Sequence, residues 1–207
     1  MRKGKFVTIE GCEGVGKTTQ VELLKKALAE KSGAMFLREP GGTLISEKIR
    51  SVILDVNNKG MSPVCEVLLY SASRAQLVDE VIKPALERGV TVICDRFTDS
   101  TLAYQGYARG LGAETVEELG RIACGGLSPD LTIFLDLDPE AAFSRKGGAD
   151  KGDRLEMEGL AFHRRVYEGY KRIAEKYPER VVCVPADGDA LSVHAKVMRA
   201  LEERGVI

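Results

Sequence analysis

An α/β domain, built on one parallel sheet covered by helices on both faces, is the fold class this sequence predicts. Two observations carry that expectation. Short apolar runs alternate along the chain with longer segments of helical period. The first run leads through a glycine-rich turn straight into a helical pattern, the junction of a strand with a helix.

In chain order, the strand candidates are residues 6–9, 35–37, 90–94, 131–135 and 181–184. Between them, Val21, Leu24 and Leu28 share one helical face, as do Ile45, Ile49, Val52 and Ile53, and a third set is Val116, Leu119, Ile122 and Ala123. Each stripe is expected to face the core. Pro84 interrupts the helical run 64–88, which predicts a kink or a fresh helix start there. Residues 146–153 carry three glycines, four charges and no bulky apolar side chain, the composition of a mobile surface loop. Helix is expected to resume over 156–176, on the evidence of Leu160, Val166, Tyr167 and Tyr170. No repeat or interdomain linker is visible, so the 207 residues are expected to form a single domain.

With 44% hydrophobic residues the chain can fill a sizeable core without staples. A net charge of -1 and a pI near 6.2 argue against general affinity for nucleic acid or anionic membrane. Cys12, Cys65, Cys94, Cys124 and Cys183 are odd in number, widely spaced and mostly set in apolar runs, as expected of reduced core residues rather than a disulfide framework. No segment approaches the length of a membrane span, and a cytoplasmic location is expected. The run His163-Arg164-Arg165 reads as a solvated or subunit-facing helix surface, His194 is isolated, and two histidines without paired Cys/His spacing give a structural metal site no support.

The strongest chemical signal is Gly11-Cys12-Glu13-Gly14-Val15-Gly16-Lys17-Thr18, continued by Thr19, between a strand and a helix. Glycines let the backbone wrap an anion with amide N–H groups pointing inward, and the helix N-terminus adds its positive dipole end. Lys17 is expected to span the β- and γ-phosphates of a nucleoside triphosphate while the Thr18 hydroxyl ligates Mg²⁺. The cradle alone leaves open a kinase, a motor, a transporter ATPase and a GTPase switch.

Three further segments are expected to meet it at one sheet edge, where ligands bind in open α/β sheets: Arg38-Glu39-Pro40-Gly41-Gly42 after the second strand, Tyr70-Ser71-Ala72-Ser73-Arg74 on a helix, and Asp95-Arg96-Phe97 after the third. Asp95 can hold Mg²⁺ or orient an acceptor phosphate, and Arg96 can neutralise that phosphate. Tyr70 and Arg74, four apart, share a helix face, one offering a ring and the other a donor.

These segments, with Ser100-Thr101-Leu102-Ala103-Tyr104-Gln105-Gly106, Pro129-Asp130-Leu131 and Asp153-Arg154 in this order and spacing, resemble those of bacterial thymidylate kinases over nearly the whole chain. The resemblance implies a three-layer α/β/α P-loop kinase fold with a five-stranded parallel sheet and a mobile lid at about 145–154. It implies an enzyme that phosphorylates dTMP with Mg²⁺ and ATP, usually as a homodimer. Arg74 resembles the residue that hydrogen-bonds the thymine carbonyl, Thr101 the one that meets the N3 edge with Gln105 beside it, and Tyr104 the aromatic that crowds a ribose 2′-hydroxyl. Glu13, Arg38, Pro40, Arg50, Arg96 and Ser100 complete the implied substrate site. Because Glu13 stands where some relatives carry a loop arginine, the last catalytic cation is expected from the lid, from Arg145 or Lys146 ahead of Lys151 and Arg154.

Other classes fit less well. A GTPase needs a guanine-reading Asn-Lys-x-Asp element, whereas Asn58-Lys59 is followed by Gly60-Met61. A regulatory subunit without turnover would not need both Lys17 and Asp95. Another P-loop nucleoside or nucleotide kinase is the nearest alternative, opposed by Arg74 and the segment 100–106.

Overall fold

The structure, a computed structural model, describes residues 4–28, 33–146 and 152–207, without the side chain of Lys146. Lys151 and the middle of segment 145–154 lie outside the described residues. The elements run β1 (Phe6–Glu10), α1 (Lys17–Leu28), β2 (Met35–Arg38), α2 (Leu44–Leu54) and α3 (Pro63–Leu77). A π-helical stretch, Val78–Ile82, then leads into α4 (Lys83–Glu87). After β3 (Val92–Asp95), the short α5 (Thr98–Thr101) passes into a second π-helical stretch, Leu102–Ala108. The chain continues through α6 (Ala113–Ala123), β4 (Leu131–Asp136), α7 (Pro139–Lys146), α8 (Leu160–Lys176), β5 (Val181–Pro185) and α9 (Ala190–Glu203).

All five strands are parallel, in the order β2-β3-β1-β4-β5. From central β1 the chain passes to the edge strand β2, returns inward to β3 beside β1, and then crosses to β4 and β5 on the other side; the crevice at the carboxyl end of such a sheet is where ligands bind. The three central strands, β3, β1 and β4, are buried on both faces, while the edge strands β2 and β5 are partly exposed. Val7, Ile9, Ile93, Ile133 and Leu135 join a core with Val21 and Leu24 of α1, Val166 and Tyr170 of α8, and Val193 and Val197 of α9. A second core packs Phe6, Val92 and Cys94 against Leu77, Val78, Ile82 and Phe97.

The strands occupy the expected places, with boundaries shifted toward the carboxyl edge. β1 to β4 end in Glu10, Arg38, Asp95 and Asp136, polar residues that an apolar run cannot include but the hydrogen-bond ladder does. Val90 instead closes a turn, its N–H donating to the Ala85 carbonyl (3.0 Å). Pro84 does not start a fresh helix: the backbone stays helical from α3 through the π-helical stretch into α4, and the widened turns directly before Pro84 take up its missing N–H. Helix α8 starts at Leu160 rather than 156, because Asp153 Oδ1 accepts from the N–H groups of Leu155 (2.9 Å) and Glu156 (3.0 Å) and folds the chain into a turn first.

Several expectations need correction. The stripe on α2 is not wholly core: Ile53 is buried, but Ile45 and Val52 are exposed, and Ile122 of α6 is 63% exposed. Periodicity identifies an apolar face without saying what covers it. Cys65 and Cys183 are exposed, while Cys12, Cys94 and Cys124 are buried, and all five are free thiols. His163 is fully buried, three residues before Val166 and seven before Tyr170 on the inward face of α8, where its ring packs against Phe143 and Phe162.

Candidate active site

The glycine-rich turn leaves β1 at Gly11, whose φ of 145° lies outside the range of L side chains. A Cβ there would meet the Leu135 carbonyl oxygen and Val15 Cγ2, each at 3.0 Å. The chain wraps through Gly14 and Gly16 into the first turn of α1. Cys12 and Val15 are buried beneath this loop, and burial pushes the Cys12 thiol up to about 12, so it contributes backbone and packing rather than a nucleophile. Lys17 Nζ donates to the carbonyls of Gly11 (3.0 Å) and Cys12 (2.7 Å). Burial, and then the neighbouring Arg96 charge, lower its pKa. A cavity of about 390 Å³ opens over the loop, with Glu13, Gly14, Gly16, Lys17, Thr18 and Thr19 on its wall.

Arg96 lines that cavity. It is the non-glycine residue with positive φ among the described residues (69°), a sparsely populated conformation that turns the chain sharply off β3. Its N–H donates to the Ile9 carbonyl (3.0 Å), and its guanidinium reaches back to the Gly11 carbonyl (3.1 Å) and Ser100 Oγ (3.0 Å). It pairs with Glu13 and lies 5.2 Å from the Tyr104 ring centroid. Burial is the strongest single influence and opposes its charge, but Glu13 together with Tyr104, Tyr170 and Asp95 holds its pKa well above the usual value.

Beneath it Glu10, fully buried at the end of β1, fastens the turn: it accepts from Phe97 N–H (2.7 Å), the Ser100 hydroxyl (2.6 Å) and the Tyr170 hydroxyl (2.9 Å). Burial first, and Asp99 second, raise its pKa to about 7. Asp95 lines the same wall, and its Oδ1 is buried without a hydrogen-bond partner among the described residues.

The far end is a side-chain pocket. Arg74, only 1% exposed, donates through Nε to Glu39 Oε2 (2.7 Å) and through Nη2 to the Phe97 carbonyl (3.0 Å) and Thr101 Oγ1 (2.9 Å). Its Nη1 is buried with no partner among the described residues. Burial works most strongly against the guanidinium, but Glu39 together with Cys124 and Glu10 raises its pKa. Tyr70, Thr101, Tyr104 and Gln105 also line this end. The π-helical turn of Leu102–Ala108 carries Tyr104 and Gln105, and such widened turns recur at functional sites.

At the mouth, Arg38 Nη1 and Arg50 Nη1 both donate to the Pro40 carbonyl (2.9 and 2.8 Å), and Arg38 also pairs with Glu47 (3.0 Å). The close turn needs Gly41, whose Cβ would fall 2.4 Å from Glu47 Oε1.

The structure thus gathers the loop residues, Arg38, Pro40, Arg50, Tyr70, Arg74, Asp95, Arg96, Ser100, Thr101, Tyr104 and Gln105 around one cavity. Two of the lid cations, Arg145 and Arg154, stand apart. Arg145 is not on the cavity wall: its guanidinium donates to the carbonyls of Ala186 (2.8 Å) and Asp187 (2.9 Å), beyond β5. Arg154 is buried against α2 and α3, donating to the Ile53 carbonyl (3.0 Å) and pairing with Glu66 (2.5 Å). Lys146 ends α7, its side chain outside the described residues, as is all of Lys151. Sequence reasoning missed Glu10, Glu39, Glu66 and Tyr170. Only Glu10 left a signal, a carboxylate closing an apolar strand directly before the glycine-rich turn.

Comparison with known proteins agrees with this geometry. The thymidylate kinase family profile matches residues 9–197. A thymidylate kinase of Caldanaerobacter subterraneus subsp. tengcongensis is 50% identical, with 97% of this chain and 96% of the relative aligned. One from Halalkalibacterium halodurans is 46% identical over 99% of both. The crystal structure of a thymidylate kinase from Ehrlichia chaffeensis superposes with a TM-score of 0.80 at 33% identity, covering 97% of this chain and 99% of the other.

Proposed function

This chain belongs to the thymidylate kinase family and phosphorylates dTMP with ATP as donor, and we propose that the residues around its one shared cavity divide that work as follows. The observation that carries the reading is that the glycine-rich cradle with Lys17 and the pocket with the unpartnered Arg74 Nη1 line the same cavity, with Asp95 and Arg96 also on its wall. Two anions brought together repel, and preorganised cations must screen them.

In this reading the amides of residues 11–19 and Lys17 hold the triphosphate of ATP. Arg96, with Arg38 at the mouth, holds the phosphate of dTMP, and Arg74 Nη1 donates to a thymine carbonyl. Thr101 and Gln105 meet the N3 edge, and Tyr70 offers its ring to the base. Tyr104 stands where a ribose 2′-hydroxyl would project, Glu13, Pro40 and Ser100 hold the cationic side chains in place, and Arg50 adds a second positive charge beside Arg38 at the mouth.

The residues present fit Mg²⁺: the Thr18 hydroxyl and the unpartnered Asp95 oxygen, both at the cavity wall, are hard oxygen ligands of the kind a cation completes with phosphates and water. When bound, the metal would neutralise charge on the transferring phosphoryl group.

The exposed apolar residues Ile45 and Val52 of α2, Val64 and Leu68 of α3, and Ile122 of α6 support a homodimer joined through this face. Light scattering tests it, and a monomer at micromolar concentration would overturn it. No helix among the described residues is long and apolar enough to cross a membrane, and we place the enzyme in the cytoplasm. A coupled ADP-release assay with each nucleoside monophosphate tests the substrate. Turnover with dTMP well ahead of dCMP and dGMP is expected, and indifference to the base would overturn the assignment of Arg74.

A further inference from the structure

Glu66 of α3 is 1% exposed and lies at the meeting point of three elements. Its Oε1 accepts from Gln105 Nε2 (2.8 Å) and Arg109 Nε (3.2 Å), and its Oε2 pairs with Arg154 Nη2 (2.5 Å). Arg154 ends the lid segment and is itself 7% exposed, held by the Ile53 carbonyl (3.0 Å). Arg109 also pairs with Glu158 (2.6 Å). A carboxylate flanked by two guanidinium groups accepts hydrogen bonds and has none to give.

We propose that Glu66 is a positioning residue that fixes the polarity of the Gln105 amide, so that the cavity offers the base a hydrogen-bond acceptor and selects a pyrimidine with an N3–H over one with a bare N3. The inference rests on the placement of Gln105 at the base edge proposed above. An amide has one donor end and one acceptor end. With Nε2 committed to Glu66, Oε1 is the atom left for the cavity that Gln105 lines.

Thymine presents N3–H and is satisfied by that oxygen. Cytosine presents a lone pair at N3, so acceptor faces acceptor. Turning the amide over to suit cytosine would set Oε1 against the Glu66 carboxylate in a buried place, and unpaired buried acceptors are costly. The same contacts give Arg154 a role away from the phosphates: with Arg109, it holds Glu66 in place as a charged acceptor.

The test compares the KM of dTMP with the inhibition constant of dCMP in the wild type and in Glu66→Gln, Glu66→Asp and Gln105→Leu. Glu66→Gln frees the amide to turn, and the dCMP constant divided by the dTMP constant is expected to fall about ten- to hundredfold while the KM of ATP stays unchanged. Glu66→Asp keeps the charge beside both arginines but shortens its reach, and should fall between. It carries the test if Glu66→Gln does not fold. A merely structural Glu66 would weaken both nucleotides equally, and an unchanged ratio in a folded variant overturns the proposal. Gln105→Leu separates the two layers of inference. If it leaves dTMP use untouched, the placement of Gln105 at the base fails and the proposal with it. If it weakens dTMP while Glu66→Gln keeps the ratio, only the role of Glu66 fails.

Discussion

The proposed phosphate cradle and the proposed base pocket share one cavity and are built in opposite ways. The cradle is local and made largely of backbone: consecutive residues from Gly11 to Thr19 bend around an anion, and Lys17 is held by carbonyls five and six residues away. The base pocket is made of side chains from the turn after β2, from α3, from α5 and from the π-helical turn, locked by contacts such as Arg74 to Glu39, 35 residues apart, and Glu66 to Gln105, 39 apart. A backbone cradle reads any triphosphate by charge and shape, whereas a pocket of paired side chains reads one base. Damage to the first should therefore strike turnover without harming the fold, and damage to the second should strike one substrate and stability together.

The largest effect is expected at Lys17. Lys17→Met should lower kcat by at least about 10³-fold, because the lysine meets charge that develops on transfer, while the melting temperature moves by only a few degrees. Turnover within tenfold of wild type would break the assignment of the cradle.

Next comes Arg74→Leu. Loss of dTMP affinity by about 2–5 kcal/mol is expected with ATP affinity unchanged, since one member of a buried charged pair is removed. Stability should also fall by about 3–5 kcal/mol, because Glu39 is left buried without its partner. Adding Glu39→Leu should restore most of that stability in a denaturant titration but none of the affinity. If both recovered together, the pocket would be structural only.

A smaller effect is expected at Arg145, which holds the carbonyls of Ala186 and Asp187 rather than the cavity. Arg145→Met should raise the KM of ATP a few-fold and leave kcat within about threefold of wild type. A hundredfold loss of kcat would instead show that this arginine enters the cavity during turnover, and would move the lid into the catalytic half of the comparison.

The smallest effect concerns Glu10, where the two halves meet. Its folded-state pKa of about 7 lies above the unfolded value near 4.5, so the folded state holds the proton more tightly through that window. Its contribution to stability is therefore greatest below pH 4.5 and is lost as pH rises through about 7. Glu10→Gln should flatten the fall in melting temperature across that range. An identical pH profile in the variant would assign the fall to other groups.

The cradle, the five strands and the core stripe of α1 were legible in the sequence, because each is a pattern of neighbours: a spacing of glycines, an apolar run, a helical period. Arg74 and Asp95 were legible as residue types in a spacing, but not the partners that orient them. The exposed stripes on α2 and α6 and the buried His163 were misread, since periodicity gives a direction and not a neighbour. Only the tertiary structure decided that Glu39 and Glu66 are buried acceptors, that Arg154 turns to Glu66, and that Arg145 turns beyond β5. The physical reason is range. Backbone geometry is set within a few residues, whereas the polarity and charge of a buried side chain are set by whichever distant groups the fold places within hydrogen-bond reach.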